Sequence, residues 1–396
     1  MEKLEFKQGM YNLNPEPNFN FQLNRVILWD GGDLKDVMQV AQKITDSTSW
    51  KREMIGLGDY AFSQNRISQA IAYYRMSEFF IVDGDSDKKK YYIKATEMFY
   101  EYFRSYFDSG RVQKLQVSYE DIMLPVMFAK AQKQCSGTIL LHGGNDSYFE
   151  EMFLPMLYLS EQGYDVYMFE GPGQGGVLRI QGKHFTHEWE RPVKAILDFF
   201  HLNDIIIIGV SLGGMLAPRA AAFDKRITKV VAWSVFPDFL DVVLDQIPAK
   251  VAGIVRFMLK NNIRVLLSPI LRIMKSIRKN DPLFQWGVNH GMYAYEANSI
   301  YDYLKIIGKY QIMDVAPLIE QDVLILGANQ DHFVNYRMIG KEINALTNVR
   351  SLTFRLFTEK ENAGNHCNLG NAKLALETIL QWLTFLKQRD SEIENK

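Results

Sequence analysis

One short stretch of the chain combines a serine with the glycines that a reactive serine needs. Gly209-Val-Ser-Leu-Gly-Gly214 directly follows four consecutive isoleucines, Ile205–Ile208. This G-x-S-x-G pattern is typical of a serine on a sharp turn between a strand and a helix, where glycines let the two elements approach and the hydroxyl is exposed. The pattern predicts that Ser211 is a nucleophile toward a carbonyl carbon. The alternative is a glycine-rich turn with a bystander serine.

A serine hydroxyl is barely ionised at neutral pH and needs a neighbouring base. Of the seven histidines, His366 lies between the predicted last strand and the terminal helix, where the base of such a site follows the acid in chain order. Asp331 follows the preceding predicted strand, and we expect its carboxylate to orient His366 and to stabilise the imidazolium. The alternatives are a surface-loop histidine and a helix-capping aspartate. His332 is interpreted as a neighbour of the acid.

A carbonyl under attack also needs two N–H donors for the oxygen that becomes negative. We expect the first donor to be the amide of Leu212, the residue after the serine. The second is expected from the loop Leu141-His-Gly-Gly-Asn-Asp146, with Gly144 as the first choice and Asn145 as the second. His142 in this loop is interpreted as a structural residue.

Hydrophobic periodicity indicates the elements that position these residues. Apolar strands alternate with helices over residues 112–236 and 320–396, which predicts an α/β domain with a mostly parallel sheet flanked by helices. Residues 1 to about 30 show no clear period, whereas apolar positions recur three and four apart from Leu34 to about Phe107. Residues 1–111 are predicted to form a helical N-terminal domain. Residues 237–319 show no strand pattern and are predicted to be a helical insertion that caps the site.

The composition excludes several classes of protein. The 396 residues are 47% hydrophobic, and 45 basic residues nearly balance 46 acidic ones, so no overall field favours nucleic acid. Two cysteines, Cys135 and Cys367, are too few for a disulfide framework and favour a reducing compartment. The sequence shows neither a signal-peptide pattern nor an apolar run long enough to span a bilayer. We therefore expect a cytoplasmic protein.

A second glycine-rich run, Glu170-Gly-Pro-Gly-Gln-Gly-Gly176, formally contains the dinucleotide-binding pattern G-x-G-x-x-G. That site needs a helix beginning at the run, so that the helix N-terminus meets the pyrophosphate. The residues that follow reach another glycine, Gly182, within six positions and show no helical face. We interpret the run as a tight loop near the site and expect neither a cofactor nor a metal.

Residues 250–279 hold eight basic residues and no acidic one, interspersed with apolar residues. Such a stretch can cover a pocket, lie on an anionic membrane surface or contact a partner. We interpret it as part of the cap, with a membrane surface as the alternative. Because Pro269 lies in the middle, we expect it to divide the stretch into two short helices.

Together these motifs resemble the α/β-hydrolase superfamily over residues 112–236 and 320–396. The two glycines that follow the serine turn, Gly213 and Gly214, and the pair His366-Cys367 are most similar to one branch of this superfamily. That branch contains the catalytic domains of acylaminoacyl peptidases and prolyl oligopeptidases. A helical N-terminal unit is more similar to the pseudooxynicotine-type hydrolases, some of which cleave carbon–carbon bonds. The chain differs from the peptidases in having no propeller-length N-terminal region and in carrying Leu212 where they often have an aromatic residue.

The resemblance implies a capped serine hydrolase that forms an acyl-enzyme on an ester or amide. One alternative keeps the fold but cleaves a carbon–carbon bond of a diketone-like substrate. Another is a binding or regulatory protein that uses the basic insert as its interface. The expected partner is a small molecule or short peptide rather than nucleic acid, and a homodimer is compatible with the sequence.

Overall fold

The apolar runs of the sequence form one eight-stranded sheet in the computed structural model, which describes residues 5–394. The strands are β1 (Val112–Tyr119), β2 (Ile122–Ala129), β3 (Gly137–His142), β4 (Tyr164–Phe169), β5 (Ile205–Val210), β6 (Ile227–Trp233), β7 (Asp322–Ala328) and β8 (Ser351–Phe357). Their order across the sheet is β1-β2-β4-β3-β5-β6-β7-β8. The β1–β2 and β2–β4 pairs are antiparallel, and all pairs from β4 across to β8 are parallel.

The central strand β5 shows why its sequence is continuously apolar. All six of its residues are buried. Ile205 and Ile207 pack into the apolar layer on one face of the sheet, and Ile206 and Ile208 pack into the layer on the other face. Because successive side chains of a strand point to opposite faces, a strand covered on both sides cannot alternate with polar residues. The predicted α/β class with a mostly parallel sheet is confirmed.

Helices surround this sheet in three groups. Those before the sheet are α1 (Pro17–Leu28), α2 (Leu34–Ala41), α3 (Ser47–Ser63), α4 (Ile67–Phe79), α5 (Ser86–Tyr102) and α6 (Arg104–Asp108). Those between or after strands are α7 (Phe153–Glu161), α8 (Gly175–Arg179), α9 (Glu190–Phe199), α10 (Gly213–Phe223), α16 (Ile339–Ala345) and α17 (Ala372–Glu394). Those inserted between β6 and β7 are α11 (Phe239–Leu244), α12 (Ala249–Lys260), α13 (Arg264–Ile277), α14 (Pro282–Ala294) and α15 (Ile300–Ile307).

The helical N-terminal region and the helical insertion are therefore confirmed. The boundaries at residues 111, 236 and 319 stay a prediction. No helix within residues 5–394 is both long and apolar enough to cross a membrane.

The sequence did not reveal helix α1. Its residues show no clear period because the helix is buried on nearly all sides, including Asn18 and Gln22, which are fully buried. A helix without a solvent-facing side has no polar stripe to set a period. The Glu16 side chain caps the helix by accepting the N–H of Phe19, and Pro17 occupies the first turn, where no N–H is needed.

The prediction that Pro269 divides the basic stretch was wrong. Two helices are present, but the break lies at residues 261–263, where Asn262 takes a left-handed conformation with φ +55°. Pro269 lies inside α13, at its sixth residue. Pro269 cannot donate a backbone N–H, yet α13 extends eight residues beyond it, to Ile277.

The expectation that no helix follows the second glycine-rich run was also wrong, because the five-residue helix α8 begins there at Gly175. The carboxylate of Glu170 occupies the concave side of this run and accepts the N–H groups of Gly176 at 2.8 Å and Phe149 at 3.1 Å. A Cβ at position 175 would lie 1.6 Å from Glu170 Oε1. The run is thus packed around a side chain of the protein itself.

Candidate active site

Ser211 lies on a strained turn between β5 and α10. Its φ is +61°, in the left-handed region that non-glycine residues rarely adopt. A Cβ at Gly209 would lie 2.1 Å from the carbonyl oxygen of Gly213, and a Cβ at Gly214 would lie 2.4 Å from that of Ser234. The glycines are therefore required for the close approach of strand and helix that the motif predicts.

The structure brings together the three side chains predicted to act as nucleophile, base and acid. His366 Nε2 lies 2.8 Å from Ser211 Oγ, and His366 Nδ1 lies 2.7 Å from Asp331 Oδ2. Asp331 follows β7 and His366 follows β8, at the same edge of the sheet as the end of β5. The three groups form one continuous chain of hydrogen bonds although they are far apart in sequence.

The surroundings of Asp331 keep it charged. Burial by itself would raise the pKa of this carboxyl, but His366 and the N–H of Val334 outweigh burial and lower it. Its Oδ1 accepts the N–H groups of Phe333 at 2.9 Å and Val334 at 3.0 Å. Burial would lower the pKa of His366, but the Asp331 carboxylate and Cys367 outweigh it and raise that pKa well above its usual value. The arrangement thus favours an imidazolium next to a carboxylate.

The loop that follows β3 holds both residues predicted as the second N–H donor. The first choice for the second N–H donor, Gly144, already donates its amide to Ser147 Oγ at 2.8 Å. The amides of Leu212 and Asn145 have no hydrogen-bond acceptor among residues 5–394. Gly144 packs against the serine turn, since a Cβ there would lie 2.7 Å from the nitrogen of Leu212. The amide of the second choice, Asn145, is therefore free to donate, whereas that of Gly144 is already occupied.

Two residues of the inserted helices hold Asn145 in place. His290 Nε2 donates to the Asn145 carbonyl oxygen at 2.9 Å, and the Tyr295 hydroxyl donates to Asn145 Oδ1 at 2.8 Å. Both side chains are buried. The sequence contained no signal for these contacts, because they join positions about 150 residues apart.

His142, interpreted from the sequence as a structural residue, and His332, interpreted as a neighbour of the acid, lie close to the site but form no hydrogen bond with Ser211, His366 or Asp331. His142 is fully buried, and its Nδ1 lies 2.9 Å from the carbonyl oxygen of Gly143. His332 packs between the rings of Phe21 and Phe333. Burial lowers the pKa of both histidines to about 4, so both are neutral at pH 7.

A cavity of about 210 Å³ opens at Ser211 and His366, and most of its lining is apolar. The apolar lining includes Phe21, Phe236, Phe239, Val255, Leu271, Met274, Trp286 and Phe333. These residues come from the N-terminal region, the insertion and the loop after β7. The walls are therefore supplied mainly by segments outside the sheet, whereas the reactive groups are supplied by the loops at its edge.

One buried cation links helix α1 to the loop that carries Asn145. Arg25 forms two hydrogen bonds to Glu151, at 2.7 and 3.0 Å, and one to Asp146 at 2.7 Å. The side chains of Arg25, Glu151 and Asp146 are 9%, 2% and 17% exposed. Burial would raise the pKa of Asp146, but Arg25 outweighs it and lowers that pKa. Sequence reasoning missed this group because α1 itself was not recognised.

Replacing Arg25 by methionine is expected to destabilise the protein by about 3–5 kcal/mol, because it leaves the buried Glu151 and the partly buried Asp146 without their cation. The free energy of unfolding from denaturant titration measures this loss. Arg272→Met is the control, since Arg272 is exposed and has no ion pair among residues 5–394, and its effect should stay within about 0.5 kcal/mol. Equal losses in the two variants would contradict the role assigned to Arg25.

No group of three or more His, Cys, Asp or Glu side chains that could hold a metal ion is present within residues 5–394.

The fold and the site together define a class of protein. The family model for the alpha/beta hydrolase fold matches residues 139–367, more than half of the chain, and the chain belongs to that family. The match begins in β3 and extends past His366, so it includes every residue of the hydrogen-bond chain.

Curated relatives carry the names hydrolyase and hydrolase. The hydrolyase poxO of Penicillium oxalicum is 29% identical over 266 residues, covering 58% of this chain and 63% of its own length. The chain thus matches less than two thirds of that relative. The hydrolase acrC of Aspergillus aculeatus is 24% identical over 440 residues, covering 94% of this chain and 97% of its own. The chain is accordingly similar to proteins that carry the names hydrolase and hydrolyase.

A solved structure extends the similarity beyond the sheet. The crystal structure of the 2,6-dihydroxy-pseudo-oxynicotine hydrolase superposes with a TM-score of 0.64 at 18% sequence identity, covering 91% of this chain and 94% of that one. At this identity the match concerns the fold alone. It includes most of the helical N-terminal region, as the resemblance to pseudooxynicotine-type hydrolases implies.

Proposed function

We propose that the protein is a serine hydrolase in which Ser211 is the nucleophile, His366 the general base and Asp331 the orienting acid. The observation that carries the proposal is the hydrogen-bond chain from Ser211 Oγ through both nitrogens of His366 to Asp331. It lies at the wall of a cavity, where a substrate carbonyl can reach the serine. A binding protein would not need this arrangement, which therefore favours an enzyme.

The geometry supports acyl transfer in two steps. Ser211 Oγ attacks the substrate carbonyl carbon while His366 Nε2 takes the hydroxyl proton, and the carbonyl oxygen becomes negative. The amides of Leu212 and Asn145 would stabilise that oxygen. His366 then gives the proton to the leaving alcohol or amine, which departs and leaves an acyl-enzyme. Water, deprotonated by His366, attacks the acyl group, and Ser211 regains its proton as the acid product leaves.

The lining of the cavity supports an ester or amide with an apolar acyl or aromatic group. Such a group would bury its surface against the aromatic and aliphatic side chains of the walls. The carboxylate of Asp146 also lines the cavity and is held ionised beside Arg25. It would repel a substrate with a free carboxylate near the reacting carbonyl, so we expect uncharged substrates to be preferred.

Labelling with a fluorophosphonate probe tests the proposal directly. We expect one label per chain, mapped by mass spectrometry to the peptide containing Ser211. Ser147→Ala is the control, because Ser147 lines the same cavity but accepts a hydrogen bond from Gly144; this variant should still be labelled. The absence of label on intact, folded protein would refute an activated serine.

A substrate panel then distinguishes the bond that is cleaved. p-Nitrophenyl esters of increasing acyl length, acylated aminoacyl anilides and a 1,3-diketone represent ester, amide and carbon–carbon cleavage. We expect the esters with longer apolar acyl groups to have the highest kcat/KM. Cleavage of the diketone alone would replace ester or amide hydrolysis with carbon–carbon hydrolysis by the same three residues.

A further inference from the structure

The outer surface of helices α12 and α13 is unusually apolar. We call residues 249–279 the cap hairpin. It holds eight of the 21 exposed large apolar side chains in residues 5–394, with exposed fractions from 37% to 84%. These eight are Val251, Ile254, Phe257, Val265, Leu266, Ile270, Ile273 and Ile277. A concentration of this kind marks a contact surface rather than the scattered apolar residues that every protein exposes.

The fold does not account for this outer surface. The apolar side chains that pack inward from the same helices are a different set, and Val255, Leu271 and Met274 among them line the cavity. On α13, Leu266, Ile270, Ile273 and Ile277 recur at spacings of four, three and four, which places them in one stripe along the helix. The cap hairpin thus has one apolar side toward the cavity and another toward solvent.

The same hairpin is strongly basic. Three of its eight basic residues pair with acidic residues outside it: Arg256 with Asp241, Arg264 with Asp302 and Arg278 with Asp281. The other five have no ion pair within residues 5–394; they are Lys250, Lys260, Arg272, Lys275 and Lys279. The whole chain has a net charge of −1, so this positive charge is local to the cap hairpin.

This combination determines the kind of partner. A second copy of the same surface would bring two sets of unpaired cations together and would be repelled. Protein interfaces are enriched in tyrosine, tryptophan and arginine and depleted in lysine, whereas the exposed residues here are mainly isoleucine, leucine, valine and lysine. Aliphatic side chains that enter a bilayer, with lysines that reach its headgroups, fit an anionic lipid surface.

We infer that the cap hairpin docks on an anionic membrane surface as a peripheral contact. Phe257 and the isoleucines of the outer stripe would enter the headgroup region, and the five unpaired cations would contact acidic lipids. The inner side of the same helices covers the cavity at Ser211. If the proposed function holds, docking therefore places that cavity next to substrates dissolved in the lipid.

Co-sedimentation of the full chain with vesicles tests the contact without depending on catalysis. We expect binding to vesicles of phosphatidylcholine with phosphatidylserine, little binding to phosphatidylcholine alone, and weaker binding as salt is raised. Changing the five unpaired cations to glutamine should reduce binding by about fivefold for each charge removed. Absence of binding by the wild-type chain would overturn the inference, whatever the result of fluorophosphonate labelling.

A matched pair of variants locates the contact. Phe257 on α12 and Phe385 on α17 are 62% and 60% exposed, so Phe257→Glu and Phe385→Glu add the same charge at equally exposed helical sites. We expect the first to abolish vesicle binding and the second to leave it unchanged, with both thermal unfolding midpoints close to that of the wild type. Equal loss in both variants would overturn the inference. So would a dimer in solution that Phe257→Glu dissociates while no vesicle binding is seen, because the surface would then join two copies.

Discussion

Changing Ser211 to alanine is expected to lower kcat for an activated ester by a factor on the order of 10⁴–10⁶. The variant lacks the hydroxyl oxygen that lies 2.8 Å from His366 Nε2, so no acyl-enzyme can form. We expect the thermal unfolding midpoint to change little, because one hydroxyl at the cavity wall is removed and no apolar packing is lost. Steady-state kinetics together with a thermal melt measure both effects. Turnover close to that of the wild type would exclude Ser211 as the nucleophile.

Changing Ser211 to glycine distinguishes the effect of losing the hydroxyl from the effect of backbone strain at this position. Both Ser211→Ala and Ser211→Gly lack the hydroxyl and should be equally inactive. Only glycine adopts a φ of +61° without a steric penalty, so the glycine variant should be more stable than the alanine variant by about 1 kcal/mol. If the glycine variant were instead the less stable of the two, the left-handed conformation at position 211 would not lower the free energy of unfolding of the wild-type protein.

The second large effect is expected for Asp331→Asn, with a decrease in kcat of about 10⁴-fold. The asparagine keeps the size of the side chain but loses the charge that stabilises the His366 imidazolium and selects the proton on Nδ1. The pH profile should move as well. His366 must be neutral to act as the base, so kcat/KM rises as pH rises through its pKa, which Asp331 holds above the usual value. Without that carboxylate the pKa of His366 falls, and the rise of kcat/KM with pH should shift to lower pH.

Asp245→Asn is a suitable control for the loss of an aspartate charge. Asp245 is exposed and accepts a hydrogen bond from Asn335 at 3.2 Å. Its variant should keep the wild-type kcat and the wild-type pH profile. A variant of Asp331 that lost activity while its rising limb stayed in place would argue for a structural role of this residue instead of control over His366.

The positions of the strands along the chain and the placement of the reactive groups at strand ends could be predicted, because both depend on local sequence. Ile205–Ile208 must be a strand buried on both faces, and the glycines around Ser211 are needed by the backbone itself. Since the carboxyl ends of parallel strands share one edge of a sheet, residues that follow β7 and β8 were expected near Ser211. The contacts of Asp331 and His366 agree with that expectation.

Features that depend on packing between distant segments could not be predicted. Helix α1 lacks a period because other elements cover it on nearly all sides, and the role of Arg25 could not be predicted for the same reason. The preference for Asn145 over Gly144 rests on the orientation of one hydroxyl, that of Ser147. Pro269 is an ordinary helix breaker by its chemistry, but the left-handed Asn262 already ends α12 before it.

The position of the insertion between β6 and β7 imposes an order on folding. These two strands pair in parallel, so their ladder can close only after residues 237–319 have been brought round as a long loop, at an entropic cost that local pairs do not bear. The serine turn belongs to the segment before that loop, and its two partners belong to the segment after it. During synthesis, the residues of the serine turn emerge well before His366. Refolding chains should accordingly regain helical signal and compactness before they regain turnover, which makes activity the latest marker of the native state.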